Sequence, residues 1–282
     1  MAVAEYYKYV KQAAWLGWKL DSNWADPTLF AIYNIIRPIS GLLIVGFMYV
    51  IVSAGSVNPG YFAYLFIGST FFVFMIQLCQ SMAILIPEEK ARYESMKQVY
   101  ISPGSIKPYI IGRALSSTMN AMISVVLTFA LGDLIFTYLF KQPLAIDFAR
   151  VNYPALFLSL VFGIVGFAAI GYILSAISLV SNRLQWSLSE YVIGVFLLLC
   201  GVWFPPTVLP PVLNMISNVL PVTWFLTSVR QSMLPSGGIN LGYSLLYLGI
   251  SSFASIVFAF GVFSWCERYA KSRGIIDSKA EA

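Results

Sequence analysis

The chain has 282 residues, of which 59% are hydrophobic, 16% aromatic and 10% charged, with no histidine and a formal net charge of +5. Soluble domains run at roughly 45–50% apolar and about 25% charged, so this composition has too few charges to cover a water-facing surface and belongs in lipid. Lacking histidine, the chain has no histidine base or metal ligand, and Cys79, Cys200 and Cys266 are too dispersed to form a metal spacing.

Residues 1–20 lack the compact apolar run and small-residue cleavage site of a signal peptide. Glu5, Lys8, Lys11, Gln12 and Lys19 gather near one side of a helix, with Tyr6, Val10, Ala13, Ala14, Gly17 and Leu20 elsewhere and Trp15 and Trp18 nearby. That pattern predicts a helix lying in the membrane interface over residues 1–26, ended by Asp26-Pro27.

A crossing helix needs about 20 mostly apolar residues. No charge occurs between Arg37 and Glu88, and the turn formers from Ala54 to Gly60 divide that stretch into spans at Ile35–Ser53 and Tyr61–Ile86. The same rule predicts spans at Tyr109–Tyr138 and Tyr153–Val180, a fifth from Leu188 to Phe204-Pro205-Pro206, and a sixth at Leu241–Cys266. Six spans put both termini on one side.

Between spans 2 and 3, residues 87–105 read as a short cytoplasmic helix. Pro87, Glu88 and Glu89 suit a helix start, and Ser102-Pro103 suits its stop. Tyr93, Met96 and Tyr100 form an apolar edge among Lys90, Arg92, Glu94 and Lys97, a surface that can dock in a partner's groove. Before span 6, residues 204–234 are broken by Phe204-Pro205-Pro206, Leu209-Pro210-Pro211 and Leu220-Pro221, and carry Arg230. The apolar pieces Val212–Val219 and Thr223–Met233 are too short to cross, which predicts a re-entrant hairpin dipping in from the outer side.

Lys and Arg set the orientation. Fourteen of the 17 basic residues fall on the side of the termini and the 87–105 segment, and only Lys141, Arg150 and Arg230 on the other. Both termini are therefore expected in the cytoplasm, and the positive charge flanks a membrane rather than forming a nucleic-acid groove. No GxxxxGK[ST] loop is present, so the chain has no phosphate cradle of its own. Polar groups within the spans are few. Gln77, Gln80 and Asn120 could face a path or bond between helices, Asp133 sits near the outer end of span 3, and Glu190 sits at the start of span 5, where it suits the helix dipole.

The order and spacing of these pieces resemble the permease subunits of the ABC-2 family, the membrane half of ATP-binding-cassette exporters. The resemblance covers nearly the whole chain, as a single transmembrane domain over 1–282. It is carried by Glu94 and Met96 leading to Ser102-Pro103, Tyr109, Gly112 and Arg113, and by Phe204-Pro205, Leu209-Pro210, Leu220-Pro221 and Arg230. Family members often have Gly-Thr where this chain has Arg92-Tyr93.

The resemblance implies an all-α integral membrane fold in the cytoplasmic membrane and a homodimer over two separate ATPase subunits, which bind the ATP and Mg. It makes Glu88–Tyr100 the ATPase-coupling helix and residues 204–234 the outer gate, with export of an amphipathic, lipid-linked or drug-like cargo and no catalysis by this chain. Two other classes fit parts of the pattern: an ion- or proton-coupled transporter using Asp133, and a non-transporting assembly protein.

Overall fold

The computed structural model describes residues 3–23, 27–52, 59–91, 106–139, 146–180, 187–234 and 240–273. Among these the fold is all-helical, with no strand. The helices are α1 (Val3–Asn23), α2 (Pro27–Val52), α3 (Pro59–Ala91), α4 (Ile106–Leu139), α5 (Tyr153–Val180), α6 (Leu188–Leu199), α7 (Pro211–Val219), α8 (Pro221–Met233) and α9 (Leu241–Arg273). Four of them begin with proline, whose fixed φ and missing N–H suit a first helical position.

Four helices, α3, α4, α5 and α9, contain segments long and apolar enough to cross a membrane, and there are five such units if α7 and α8 form one broken span. The expected fourth span coincides with α5, while α4 and α9 extend past the expected bounds. In α2 the shorter apolar stretch is Asn34–Met48.

Two expectations are corrected. The fifth span was expected to reach Phe204, but α6 stops at Leu199 after 12 residues, about 18 Å of helix against a core of roughly 30 Å. The chain turns at Gly201, whose φ of 72° is a left-handed conformation that glycine adopts without a Cβ clash. The charged segment after span 2 was expected to start a new helix at Pro87, but α3 runs through Pro87, Glu88, Glu89 and Lys90 to Ala91. Pro87 cannot bond back to the carbonyl four residues earlier, yet surrounding helix on both sides carries the backbone past it.

The core has two layers along the bundle. One joins the first two-thirds of α3 to Phe136, Phe167, α6 and α8, and the other joins Met82, Leu85 and Ile86 to Ile110, Tyr172, Leu179, Phe263 and Ala270. The first layer therefore lies at the end where α3 begins and α4 finishes, and the second where α3 finishes and α4 begins. Close helix contacts use small residues, as expected where apolar burial against lipid gives little drive. A Cβ on Gly171 would lie 2.5 Å from the Met82 Cβ, and the Ser175 hydroxyl donates to the Met82 carbonyl, so that row packs α5 on α3. On α9 the buried row is Ser244, Leu248, Ser252 and Ala259, whereas Ser251 and Ser255 bond carbonyls of their own helix. Large apolar side chains such as Ile51, Val126, Phe157, Phe253 and Trp265 are exposed around the bundle, as lipid-facing positions are.

Candidate functional site

The proline-rich segment before α9 folds into two unequal limbs. α7 and α8 meet at Leu220 with a bend of 81°, because Pro221 cannot continue the preceding helix. α7 is mostly exposed, and α8 is mostly buried against α5, α9 and α3. Ser217 at the corner donates to the Leu199 carbonyl at 2.8 Å and lies 3.2 Å from the Thr223 hydroxyl, tying the bend to the end of α6. Trp224 stacks on Tyr247 at 4.8 Å between ring centroids and donates to the Asn218 carbonyl at 2.7 Å. Of the other residues expected at the outer gate, Phe204, Leu209 and Leu220 are half-buried, Pro205 and Pro210 exposed, and Pro221 buried.

Arg230 is the charged residue of α8 and is only 6% exposed. Its Nε donates to the Tyr64 carbonyl at 3.1 Å, Nη1 to the Gly201 carbonyl at 2.7 Å and Nη2 to the Val202 carbonyl at 2.6 Å. The guanidinium carbon sits 3.6 Å from the centroid of the Tyr64 ring. The Tyr61 hydroxyl donates to the Trp203 carbonyl at 3.1 Å, so three successive carbonyls just past α6 are capped from outside. These oxygens sit at the negative end of the α6 dipole, and with the ring face they compensate a buried cation that meets no carboxylate among the described residues. Sequence reasoning selected Arg230 but not its partners, because Tyr64 comes from a helix 166 positions away.

A second group of polar contacts runs along α3. Gln77 Nε2 donates to the Ser124 hydroxyl at 2.9 Å, Ser81 and Ser117 hydroxyls are 2.5 Å apart, and Gln80 Nε2 donates to Glu190 Oε1 at 2.5 Å. The seam joins α3 to α4 on one side and α6 on the other. Gln80 lies eight residues before Glu88 on one helix, about 12 Å further into the bundle. Glu190 therefore meets α3 about two helical turns in from Glu88. Ser187 makes no side-chain cap bond, so Glu190 adds to its place in the first turn of α6 a bridge to α3.

Near the second core layer, α1 packs along the first turns of α4. A Cβ on Gly112 would lie 2.5 Å from the Ala13 Cβ and 2.6 Å from the Val10 carbonyl oxygen. Asp21 lies 3.6 Å from the Arg113 guanidinium and accepts from Asn120 Nδ2 at 3.3 Å. Asn120 thus bonds to α1. Burial raises the Asp21 carboxyl above its ordinary 3.8, against the opposing pull of the Arg113 charge and the Asn120 hydrogen bond. Asp133 stands exposed near the C-terminal end of α4, apart from the α3 seam.

Of the expected coupling residues, Glu88, Glu89 and Lys90 belong to the last turns of α3, while Arg92, Tyr93, Glu94, Met96, Lys97 and Tyr100 lie outside the described residues. Among the described residues no cluster of His, Cys, Asp or Glu could hold a metal ion.

A comparison with curated proteins finds no match. The sequence profile described as ABC-2 type transporter matches residues 11–234, which takes in most of α1, the α3 seam, the region of the coupling residues and both limbs of the bent pair α7 and α8. With most of its length matched and an all-helical fold containing several helices able to span a membrane, the chain belongs to the ABC-2 type transporter family.

Proposed function

We propose that this protein is the permease subunit of an ATP-driven exporter, acting as a homodimer over two separate ATPase subunits that carry ATP and Mg. The observation that carries the reading is α3, a single helix of 33 residues and about 50 Å. It is the most enclosed of the long apolar helices, touching α2, α4, α5, α6 and α8. One end bears the Arg230 contacts, and the other delivers Glu88, Glu89 and Lys90 toward residues 92–100. A force applied at residues 88–100 by ATPase closure would reach the outer pair through one rigid element. Two arrangements of that element, favoured to different degrees by the ATP-bound and ATP-free partner, would turn the cargo path from one side to the other.

In this reading α2, α3, α4, α5 and α9 cross the cytoplasmic membrane, α6 together with the turn past Leu199 makes the short sixth crossing, α7 and α8 are re-entrant on the outer side, and both termini are cytoplasmic. The seam of Gln77, Gln80 and Glu190 borders the path between protomers, since an exposed carboxylate at depth is costly against hydrocarbon. The cargo is amphipathic, lipid-linked or drug-like.

The test is co-purification from native membranes. An ATPase subunit should come down with the wild-type chain, and Tyr93→Ala and Glu94→Ala should reduce its recovery and the transport it drives. Full recovery and transport with both variants would overturn the assignment of residues 88–100 as the coupling segment.

A further inference from the structure

We infer that Arg230, seated in the space left by Gly68, is the joint that fixes the buried limb α8 and the end of α6 to α3, so that the three move as one body. Its consequence for gating rests on the export reading above; the joint itself does not.

Three observations carry it. The Arg230 guanidinium spends each of its nitrogens on backbone carbonyls of two different elements, Tyr64 on α3 and Gly201 and Val202 past α6. A carboxylate partner would hang on a flexible side chain, whereas carbonyl oxygens move only with their backbone, so displacing α3 displaces the turn at 201–202 and α8 with it. Gly68 makes the seat. A Cβ there would overlap Arg230 Nη2 and lie 2.5 Å from the Val202 carbonyl oxygen, so even alanine would drive the guanidinium and the turn off α3. The remaining edge is closed by Tyr64, whose ring faces the cation, and Tyr61, which holds Trp203. Arg230 is thus a positioning residue, and Gly68 is its counterpart on the facing helix.

Amide hydrogen exchange of the purified full chain in lipid nanodiscs tests this. Arg230→Met and Gly68→Ala should each speed exchange at residues 199–204 by about tenfold or more, the scale of losing charge-assisted hydrogen bonds in a locally opening segment. The α5–α9 contact, where a Cβ on Gly166 would lie 2.8 Å from the Ser252 hydroxyl oxygen, should keep its wild-type rate. The double variant should open no faster than either single, and Arg230→Lys, with a charge but no planar fork, should recover only part of the protection. If Arg230→Met does not fold, Gly68→Ala decides alone.

Wild-type exchange at 199–204 in Gly68→Ala, or additive effects in the double variant, would overturn the joint. With the co-purified ATPase and a non-hydrolysable nucleotide, exchange in α8 should change in the wild type and not in Gly68→Ala. A wild-type chain without any nucleotide response counts against the export reading only, because the nucleotide-free exchange has already judged the joint.

Discussion

The Phe225 ring of α8 is pressed onto the bare backbone of Gly163 on α5, where a Cβ would lie 2.6 Å from its Cε2. The same ring is edge-on to Phe167 at 4.8 Å between centroids and to Phe71 at 5.9 Å, and is stacked near Phe74 at 6.1 Å. This is how the short limb is held without spanning the bundle. Phe225→Ala should lower stability by about 3 kcal/mol through the cavity it leaves. Gly163→Val should unseat the limb from the opposite side. Thermal unfolding in nanodiscs measures both, and midpoints equal to wild type would remove Phe225 from the centre of the packing.

Gly112 does for α1 what Gly163 does for α8. Because a side chain there would meet Ala13 and the Val10 backbone, Gly112→Val should release α1 from α4 while leaving the other helices packed. Limited proteolysis should then cut within residues 3–23, which the wild type protects. Equal protection in both proteins would mean that α1 is held by something other than this contact.

Asp21 supplies a pH dependence. Its folded-state pKa is raised, burial being the main cause, so between 3.8 and that value the folded chain holds a proton that the unfolded chain has lost. Stability should therefore rise as pH falls through the folded pKa and level off below 3.8. The difference curve between wild type and Asp21→Asn isolates this group, with Arg113 as the charge facing it. A difference that is flat, or rises toward high pH, contradicts the assignment.

Glu190→Leu asks what covers the α3–α6 seam. Against hydrocarbon, exchanging a carboxylate for leucine would stabilise the chain by roughly 2 kcal/mol or more. On a watered path the loss of the Gln80 hydrogen bond should dominate, and stability should fall by about 1 kcal/mol. Glu190→Gln, which keeps an acceptor for Gln80, should remain near wild type. A raised melting temperature for Glu190→Leu would place the seam against lipid.

The sequence alone determined where the chain is apolar enough to lie in a membrane, because span length and charge spacing are local properties. Tyr153–Val180 was legible to the residue, and the prolines at 205, 206, 210, 211 and 221 announced a broken segment before α9. Pairings were not legible. Nothing in the local pattern links Gly68 to Arg230, Gly163 to Phe225 or Gln80 to Glu190, since each contact joins positions tens to more than a hundred residues apart. The local rules were also overridden in one place: Pro87 and the acids after it look like a helix start, yet α3 carries them on to Ala91. Glu190 does stand in the first turn of α6, as its sequence position predicts, and only the fold shows that it also accepts from Gln80 on α3. Tertiary packing decides such cases, because a buried cation, a carboxylate that bridges two helices and a glycine slot each acquire their energy from a neighbour that only the folded chain brings near.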